Sequence, residues 1–333
     1  MAEAHAKTGD KIHDWSVERI SIGPKGRACL PMGFGGSWYI PYSAANDRVQ
    51  PLTEALDAAY EAGIRHFDTA GGYGDGRSEE ILGAFLASRR DQVFLASKAD
   101  PSETSATAMG AAVDDSLRRL GTDFIDLYYI HWPRSDKDLR PLMQALETAR
   151  QQGKIGAIGV SNFSVEQMRQ VQEAGRIDVH QLGYNLLWRK AEADLIPYCA
   201  NNDIDVVTYS TLAHGILTGK FGATPDLAPG DQRNRILPFR PDLWPAVYAG
   251  VEKMKALAAE VGRPLMHLAI RWTLQRPGIA AVVAGARNRH QAEQNVEALT
   301  GEIPVDIFKR MTAISDEIAA QMPDQNNLFN RKV

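Results

Sequence analysis

The chain has 333 residues, of which 44% are hydrophobic and 23% are charged, and its formal net charge is -4. This balance is typical of a globular protein with an extensive core, and it excludes the disordered and fibrous classes. The slight excess of acidic residues provides no basic surface for nucleic acid, so a nucleic-acid partner is not expected.

Cysteine usage and the absence of long apolar runs bear on the compartment of the protein. Neither of the two cysteines, Cys29 and Cys199, belongs to a C-x-x-C motif, which favours a reducing compartment over a disulfide framework. No run of about 18 apolar residues could span a bilayer, and residues 1–14 lack the apolar centre of a signal peptide. We therefore expect a cytoplasmic protein without a membrane partner, with residues 1–14 as a flexible tail and residues 15–333 as a single domain.

Short apolar, β-rich runs alternate with amphipathic helical patterns along the chain. The predicted strands are Leu30–Gly35, Arg65–Thr69, Val93–Lys98, Asp126–His131, Ala157–Ser161, His180–Asn185, Val206–Ser210 and Ala280–Gly285. The predicted helices are Pro51–Ala62, Ser78–Ser88, Thr104–Leu120, Leu139–Gln152, Val165–Ala174, Ala191–Asn201, Tyr248–Gln275 and Arg289–Leu299.

Eight strands, each followed by a helix, predict a closed (β/α)8 TIM barrel. A doubly wound open sheet is the alternative, but the chain has no complete G-x-G-x-x-G, and its nearest match at Met32–Trp38 has the wrong spacing. Two segments fall outside the repeat. Ala213–Pro245 is a long loop rich in Gly and Pro, of the kind that is usually functional. Ile303–Val333 predicts a C-terminal helix at Val305–Ile318 followed by a polar tail.

The active site of a parallel barrel lies at the carboxyl ends of its strands, so polar residues at those ends are candidates. Asp68 ends the second strand and Tyr73 follows it in a glycine-rich loop, while Lys98 and His131 end the third and fourth strands. Each alone has an ordinary explanation, as a solvated rim residue, a packing tyrosine or a core histidine. Together they indicate a catalytic site, because folding does not require four ionisable side chains at the ends of three consecutive strands.

These four side chains suit proton transfer between a phenol and a carbonyl oxygen. A free tyrosine has a pKa of about 10, which is too high for efficient proton transfer near neutral pH. We expect Lys98 to lower the pKa of Tyr73 by stabilising the phenolate, and Asp68 to hold Lys98 in place. His131 would hydrogen-bond a substrate oxygen or relay a proton. Interconversion of carbonyl and alcohol also needs a hydride carrier, because no side chain supplies hydride.

Six longer motifs extend over nearly the whole chain. They are FDTAGGYGDGRSEEILG (67–83), IDLYYIHWP (125–133), GKIGAIGVSNF (153–163), LGYNLLWR (182–189), TYSTLAHGILTGK (208–220) and VAGARNRHQAEQN (283–295). Together they resemble the aldo-keto reductase superfamily, and within it the branch of bacterial general-stress proteins and potassium-channel β-subunits. The resemblance implies that the family's catalytic tetrad falls on the four residues Asp68, Tyr73, Lys98 and His131. In the family the tyrosine is the general acid in reduction, the lysine lowers its pKa, the aspartate supports the lysine, and the histidine orients the carbonyl.

The resemblance also implies a nicotinamide dinucleotide and the residues that hold it. They are Ser161, Asn162, Gln181 and Tyr209 at the nicotinamide, Ser210, Leu212 and Lys220 at the pyrophosphate, Gly285, Arg287, Gln291 and Asn295 at the adenosine end, and Gly36 and Ser37 after the first strand. Arg287 can pair with a 2′-phosphate and no ribose-binding acid is evident, so NADPH is favoured over NADH. His214 departs from the small or amide residue expected at its position. Without the resemblance, Ser161–Asn162 would be interpreted as a helix cap, Tyr209 as a core aromatic and Arg287 as a surface charge.

The substrate pocket is predicted from aromatic and polar residues near the candidate tetrad. They are Trp38 and Trp132, with contributions from Tyr39, Asn326, Asn327 and Phe329. The leading hypothesis is a metal-free, NADPH-dependent reductase of small aldehydes and ketones such as hydroxyaldehydes and sugars, reversible toward alcohol oxidation. A short-chain dehydrogenase is disfavoured because no Tyr-x-x-x-Lys occurs. Two alternatives stay open: a lyase that uses Lys98 as a Schiff-base nucleophile, and a redox-sensing subunit in which cofactor state matters more than turnover.

Overall fold

The computed structural model describes residues 14–24, 26–37, 49–100, 103–134, 136–325 and 327–329. Within these ranges eight parallel strands close a barrel, in which the strands pair in chain order and the last pairs with the first. The strands are β1 (Met32–Gly35), β2 (His66–Asp68), β3 (Phe94–Ala99), β4 (Ile125–Ile130), β5 (Ile155–Ser161), β6 (Val179–Gly183), β7 (Asp205–Tyr209) and β8 (Ile279–Ala284). The predicted barrel is confirmed and the open sheet is excluded.

Helices surround the barrel close to the predicted positions. They are α1 (Val49–Glu61), α2 (Arg77–Leu86), α3 (Ala106–Leu120), α4 (Arg140–Gln151), α5 (Val165–Gln172), α6 (Leu195–Asn201), α7 (Trp244–Glu260), α8 (Leu265–Leu274), α9 (Arg289–Glu297) and α10 (Val305–Ala319). The prediction of one helix over Tyr248–Gln275 is wrong, because α7 and α8 are separate. Gly262 has a left-handed φ of +63° and Pro264 precedes α8 as its N-cap, so the chain turns between the two helices.

The barrel interior is closed at the amino ends of the strands by the segment that precedes β1. Ile20 and Cys29 form an antiparallel bridge there, and Ile22 and Cys29 pack with the inward-facing side chains of the strands. The Gly23 amide donates to the side chain of Asp205, the first residue of β7, at 2.8 Å. We call residues 20–24 and 26–29 the N-terminal plug. Because the plug covers this end, the carboxyl end is where ligands reach the interior.

The long loop after β7, residues 213–245, is folded into short turns, and we call it the cover. It contains short 3-10 turns at Ala213–Thr218, Gln232–Arg235 and Leu237–Phe239. Three aromatic rings pack edge-on or stacked within it, those of Phe221, Phe239 and Trp244. The Leu237 amide donates to the Leu328 carbonyl oxygen at 3.2 Å, and both side chains belong to one small apolar cluster. The cover and the C-terminal tail are therefore joined.

The described part of the chain begins at Asp14, and it contains both cysteines. Residues 1–13 of the predicted tail lie outside the described residues, whereas Asp14 accepts a hydrogen bond from the Gly301 amide at 3.1 Å. Cys29 and Cys199 are free and buried. None of the helices in the described ranges has the length and apolar character that crossing a bilayer requires.

Candidate active site

Asp68 and Lys98 form a buried ion pair at the carboxyl ends of β2 and β3. Lys98 Nζ lies 2.5 Å from Asp68 Oδ1 and also donates to the Thr69 carbonyl oxygen at 2.8 Å. Lys98 is fully buried and Asp68 is 4% exposed. Burial lowers the pKa of Lys98, while the Asp68 carboxylate acts in the opposite direction because it stabilises the ammonium. The two side chains thus provide a fixed pair of charges beneath the rim of the barrel.

Tyr73 projects from the glycine-rich loop 71–76 that connects β2 to α2. The Gly71 amide donates to the Lys98 carbonyl oxygen at 3.0 Å, which ties the loop to β3. Lys98 Nζ lies 5.3 Å from the centroid of the Tyr73 ring. The ring of His131 lies 5.6 Å from the Tyr73 ring, centroid to centroid, with an interplanar angle of 80°. The structure therefore brings the three strand-end residues and Tyr73 together.

The expected lowering of the Tyr73 pKa is wrong for this structure. Burial raises the pKa of the Tyr73 phenol, and the Asp68 carboxylate raises it further. The physical reason is that the charge of Lys98 is engaged by Asp68, so the cost of desolvating a phenolate dominates. Tyr73 therefore keeps its proton at neutral pH.

The amide-bearing residues at the ends of β5 and β6 are hydrogen-bonded to the tetrad residues. Gln181 Nε2 donates to Asp68 Oδ2 at 2.9 Å. Asn162 Nδ2 donates to the His131 carbonyl oxygen at 3.2 Å and to Ser161 Oγ at 2.9 Å. Asn162 also has a left-handed φ of +65°, and strain of this kind clusters at functional sites. The predicted nicotinamide residues and the predicted catalytic residues thus form one network.

The end of β7 carries a second strained turn beside this network. Tyr209 donates its hydroxyl to Asn162 Oδ1 at 2.5 Å, and Ser210 has a φ of +55°. Ser210 Oγ lies 3.0 Å from His214 Nε2. Burial, assisted by the Arg233 charge, lowers the pKa of His214 to about 4. At neutral pH His214 is therefore an uncharged hydrogen-bond partner of Ser210.

Three cations from the cover and from the turn after β8 gather around one carboxylate. Lys220 and Arg287 were predicted from the sequence, whereas Arg233 was not. Burial lowers the pKa of Lys220, and Arg287 and Arg233 lower it further. Arg233 donates from two nitrogens to Asp231, and its hydrogen bond is the largest cause that lowers the pKa of Asp231 to about 2. The excess of positive charge makes this cluster suitable for an anion.

The predicted adenosine residues meet where β8 leads into α9. They are Gly285, Arg287, Gln291 and Asn295. Asn295 Nδ2 donates to the Gly285 carbonyl oxygen at 3.0 Å, and the Arg287 amide donates to Gln291 Oε1 at 2.9 Å. By contrast Arg289, at the start of α9, forms a 2.8 Å ion pair with Glu61 on α1. It is therefore a surface charge that belongs to the contact between α1 and α9.

The remaining predicted cofactor residues follow the first and seventh strands. The Gly36 amide donates to the Asp68 carbonyl oxygen at 2.8 Å, which joins the ends of β1 and β2. Ser37 is exposed and Leu212 is half-buried. Trp38, like Tyr39 and Asn326, lies outside the described residues.

Residues 31–316, which include the whole barrel, match the sequence profile of the aldo/keto reductase family. The chain belongs to the aldo/keto reductase family. Aldo-keto reductase YhdN of Bacillus subtilis is 36% identical over 289 residues, which are 83% of this chain and 87% of that protein. The NADH-specific methylglyoxal reductase of Escherichia coli is 30% identical over 309 residues, which are 85% of this chain and 94% of the relative.

Solved structures of related proteins have the same fold as this aldo/keto reductase. A glycerol dehydrogenase from Gluconobacter oxydans has a TM-score of 0.81 at 28% identity, covering 92% of this chain and 97% of its own. An aldo/keto reductase from Klebsiella pneumoniae, solved in complex with NADP and acetate, has a TM-score of 0.74 at 27% identity, covering 93% of this chain and 98% of its own. The barrel described above is therefore a fold on which oxidoreductases are built.

In this aldo/keto reductase the C-terminal tail reaches the tetrad region. The Phe329 ring stacks on Tyr209 with centroids 6.3 Å apart, and it meets Trp132 edge-on at 6.0 Å and His214 edge-on at 5.5 Å. Trp132 is half-buried and its ring lies 6.0 Å from that of His131. The tail thus forms an aromatic wall between the ends of β4 and β7.

A cavity of about 660 Å³ opens on the other side of Asn162 and Tyr209, above α5. Its walls include Leu182, Trp188 and Leu328. Asp68, Tyr73, Lys98 and His131 do not line it. Among the described residues, the cavity therefore borders the predicted nicotinamide residues and the tail but not Tyr73.

Proposed function

We propose that this aldo/keto reductase catalyses the NADPH-dependent reduction of small aldehydes and ketones, and in reverse the oxidation of the corresponding alcohols. The observation that carries the proposal is the position of the protonated Tyr73 beside the buried pair of Asp68 and Lys98. Asp68 fixes the Lys98 ammonium beside the Tyr73 phenol, and a preorganised charge of this kind lowers the barrier to the development of negative charge there.

In the proposed reaction Tyr73 donates its phenolic proton to the carbonyl oxygen. Bound NADPH supplies the hydride that the carbonyl carbon receives. An alkoxide is much more basic than a phenolate, so proton transfer from Tyr73 is favourable even though burial raises its pKa. The phenolate that remains lies beside the Lys98 ammonium, which offsets part of the cost of burying it, and His131 orients the carbonyl oxygen.

The residues present fit a phosphorylated nicotinamide dinucleotide. Ser161, Asn162 and Gln181 offer polar groups to a carboxamide, and the cation cluster of Lys220, Arg233 and Arg287 suits phosphate. Arginine pairs with phosphate through two parallel hydrogen bonds, which favours a 2′-phosphate and hence NADPH. The complex of the Klebsiella relative with NADP supports this choice, and the E. coli relative is NADH-specific. The ratio of kcat/KM for NADPH to that for NADH tests the preference.

The substrates we propose are small hydroxyaldehydes and sugars. Trp132 and Phe329 provide apolar walls next to the polar side chain of His131, a combination that suits a short carbon chain carrying hydroxyl groups. The names of two relatives agree with this class, because methylglyoxal and glycerol are both three-carbon oxygenated compounds.

The hydrogen bonds and the burial of the Lys98 amine fit the proposed reaction better than they fit formation of a Schiff base. The Lys98 amine donates to Asp68 and to the Thr69 carbonyl oxygen and is fully buried, so a substrate carbonyl carbon has no access to it. Treatment with borohydride in the presence of a carbonyl substrate should therefore leave Lys98 unmodified. A trapped adduct on Lys98 would favour the lyase.

The deciding experiment is a screen of small aldehydes, ketoses and polyols, monitored by loss or gain of NADPH absorbance. Tyr73→Phe should lower kcat by about 10²–10⁴-fold, the usual contribution of a general acid, and leave the Kd of NADPH unchanged. The control is Tyr198→Phe, which removes a hydroxyl bonded to Gln172 on the helical surface and should have no effect. Retained turnover in Tyr73→Phe would contradict the proposal, and so would turnover too slow for metabolism despite tight NADPH binding.

A further inference from the structure

A buried carboxylate outside the tetrad lies directly behind the Tyr73 loop. Glu79, in the first turn of α2, is fully buried. Its Oε1 accepts a hydrogen bond from Ser97 Oγ at 2.5 Å, and its Oε2 accepts one from Arg119 Nε at 2.6 Å. Ser97 precedes Lys98 on β3, and Arg119 lies in the last turn of α3. One carboxylate therefore connects β3, α2 and α3 next to the site.

Arg119 in turn supports the loop that carries Tyr73. A Cβ added to Gly76 would lie 2.4 Å from Arg119 Cδ, and a Cβ added to Gly71 would lie 3.0 Å from Arg119 Nη2. These two glycines bracket Tyr73, so the loop backbone lies against the arginine side chain on both sides of the tyrosine. The position of the loop thus depends on Arg119, whose guanidinium is held by Glu79.

Glu79 also contributes charge to the site. After Asp68, it is the second carboxylate that acts to raise the pKa of Lys98 against the effect of burial. Burying a carboxylate with a guanidinium costs more free energy than burying apolar groups of similar volume. Packing alone therefore does not explain why Glu79 and Arg119 are paired here. A role in placing charge and backbone at the site accounts for it.

We propose that Glu79 and Arg119 are positioning residues for proton transfer, which hold the loop 71–76 so that Tyr73 stays over Lys98. This proposal rests on the proposed function, because it takes Tyr73 as the proton donor. Neither residue touches the reacting atoms. Their effect reaches the reaction through the position of Tyr73 and the charge of Lys98.

The test is Glu79→Gln in the full-length chain, a substitution that keeps the shape and removes the charge. We expect kcat for reduction to fall by about tenfold to a hundredfold, because small displacements of a catalytic group have effects of that size. The Kd of NADPH should stay within about twofold of the wild-type value, well under the tenfold change that corresponds to 1.4 kcal/mol of binding free energy. The alkaline limb of the kcat–pH profile should move to lower pH, since Lys98 loses one of the charges that favour its ammonium.

The matched control is Asp178→Asn, at a second buried carboxylate, which lies at the amino end of the barrel beside Gly23 of the N-terminal plug. Asp178 precedes β6, accepts a hydrogen bond from the Ile158 amide at 2.9 Å and pairs with Arg176 at 3.1 Å. We expect this variant to have a lower Tm but an unchanged kcat–pH profile. If Asp178→Asn shifted the profile as much as Glu79→Gln does, the proposal would be overturned, because the loss of any buried charge would then be enough to cause the shift.

Arg119 provides a second, independent pair of variants. Arg119→Met should lower kcat as Glu79→Gln does, and Arg119→Lys should restore part of it. Hydrogen exchange of the amides in residues 71–76 should accelerate in Arg119→Met and in Glu79→Gln but not in Asp178→Asn. Folded variants with wild-type kcat, pH profile and exchange would overturn the proposal.

The exchange measurement separates the two proposals. If Tyr73→Phe retains turnover while the loop amides still exchange faster in Glu79→Gln, the proposed function fails and the loop-holding role stands. If Tyr73→Phe abolishes turnover while Glu79→Gln and Arg119→Met behave as wild type, only the positioning role fails.

Discussion

Phe329 stacks on Tyr209 with ring centroids 6.3 Å apart and an interplanar angle of 19°. Tyr209 ends the seventh strand of the barrel, whereas Phe329 belongs to the tail that follows the last helix. The contact places a residue from the end of the sequence against one of the predicted cofactor residues. The predicted substrate side of the site is therefore built jointly by the barrel and the tail.

Removal of this ring should weaken substrate binding more than proton transfer. We expect Phe329→Ala to raise the KM of carbonyl substrates by about tenfold, since aromatic pairs contribute about 0.5–1.5 kcal/mol beyond their buried area and a factor of ten corresponds to 1.4 kcal/mol. Phe329→Trp, which keeps an aromatic face, should restore most of the affinity. Steady-state kinetics with saturating NADPH checks this, and a KM that is unchanged in Phe329→Ala would remove Phe329 from the pocket.

The cation cluster should select for the 2′-phosphate of NADPH. We expect Arg233→Ala and Arg287→Ala each to raise the KM of NADPH by roughly tenfold to a hundredfold, because hydrogen bonds between charged groups contribute about 1.5–3 kcal/mol. The KM of NADH should change little.

Arg289→Ala is the control for this prediction, because Arg289 pairs with Glu61 instead of facing the cluster. It should leave both KM values unchanged. Equal effects of Arg233→Ala on NADPH and NADH would show that Arg233 contacts a part common to both cofactors.

The two reaction directions should depend differently on pH. Reduction uses protonated Tyr73 and, since the pKa of Tyr73 is raised above its ordinary value of about 10, kcat/KM for reduction should stay constant across neutral pH. Oxidation uses the phenolate, so its rate should rise as pH increases over the same interval. The difference in phenolate absorbance between wild type and Tyr73→Phe gives the ionisation directly. A Tyr73 phenolate that forms near neutral pH would contradict this assignment.

The N-terminal plug should stabilise the fold without affecting the reaction. Ile22 is fully buried among the inward-facing side chains, so Ile22→Ala should lower the free energy of unfolding by about 2–5 kcal/mol. The KM values at room temperature should stay at wild-type levels. Val17→Ala is the matched control, since Val17 is 74% exposed. Denaturant titration measures both, and equal stabilities would show that the plug is not part of the core.

The repeat of strands and helices could be predicted from the sequence because each element contributes its own apolar pattern. A strand such as Ile125–Ile130 is buried on both faces and therefore appears as a continuous apolar run. The division between α7 and α8 was missed because the apolar pattern continues across Gly262 and Pro264. The plug was missed because a single bridge between Ile20 and Cys29 has no periodicity.

The residues of the candidate site could also be predicted only where their positions follow a pattern in the sequence. The strand-end rule finds Asp68, Lys98 and His131, because their positions follow from the barrel itself. Arg233 was missed, since it lies in a loop without regular spacing and meets Arg287 only through the fold. The raised pKa of Tyr73 could not be predicted either, because it depends on burial and on how fully Asp68 engages Lys98.

The hydrogen bond from Leu237 to Leu328 has a consequence for the sequence of events in turnover. It joins the cover over the predicted cofactor site to the tail over the predicted substrate site, while the N-terminal plug closes the opposite end. The predicted cofactor residues lie at the ends of the strands and the predicted substrate residues in the tail, so we expect both molecules to pass through one opening, with the cofactor bound beneath the substrate. We expect compulsory-order kinetics, in which the cofactor enters first and leaves last, and in which opening of the cover limits the rate at which the enzyme is regenerated.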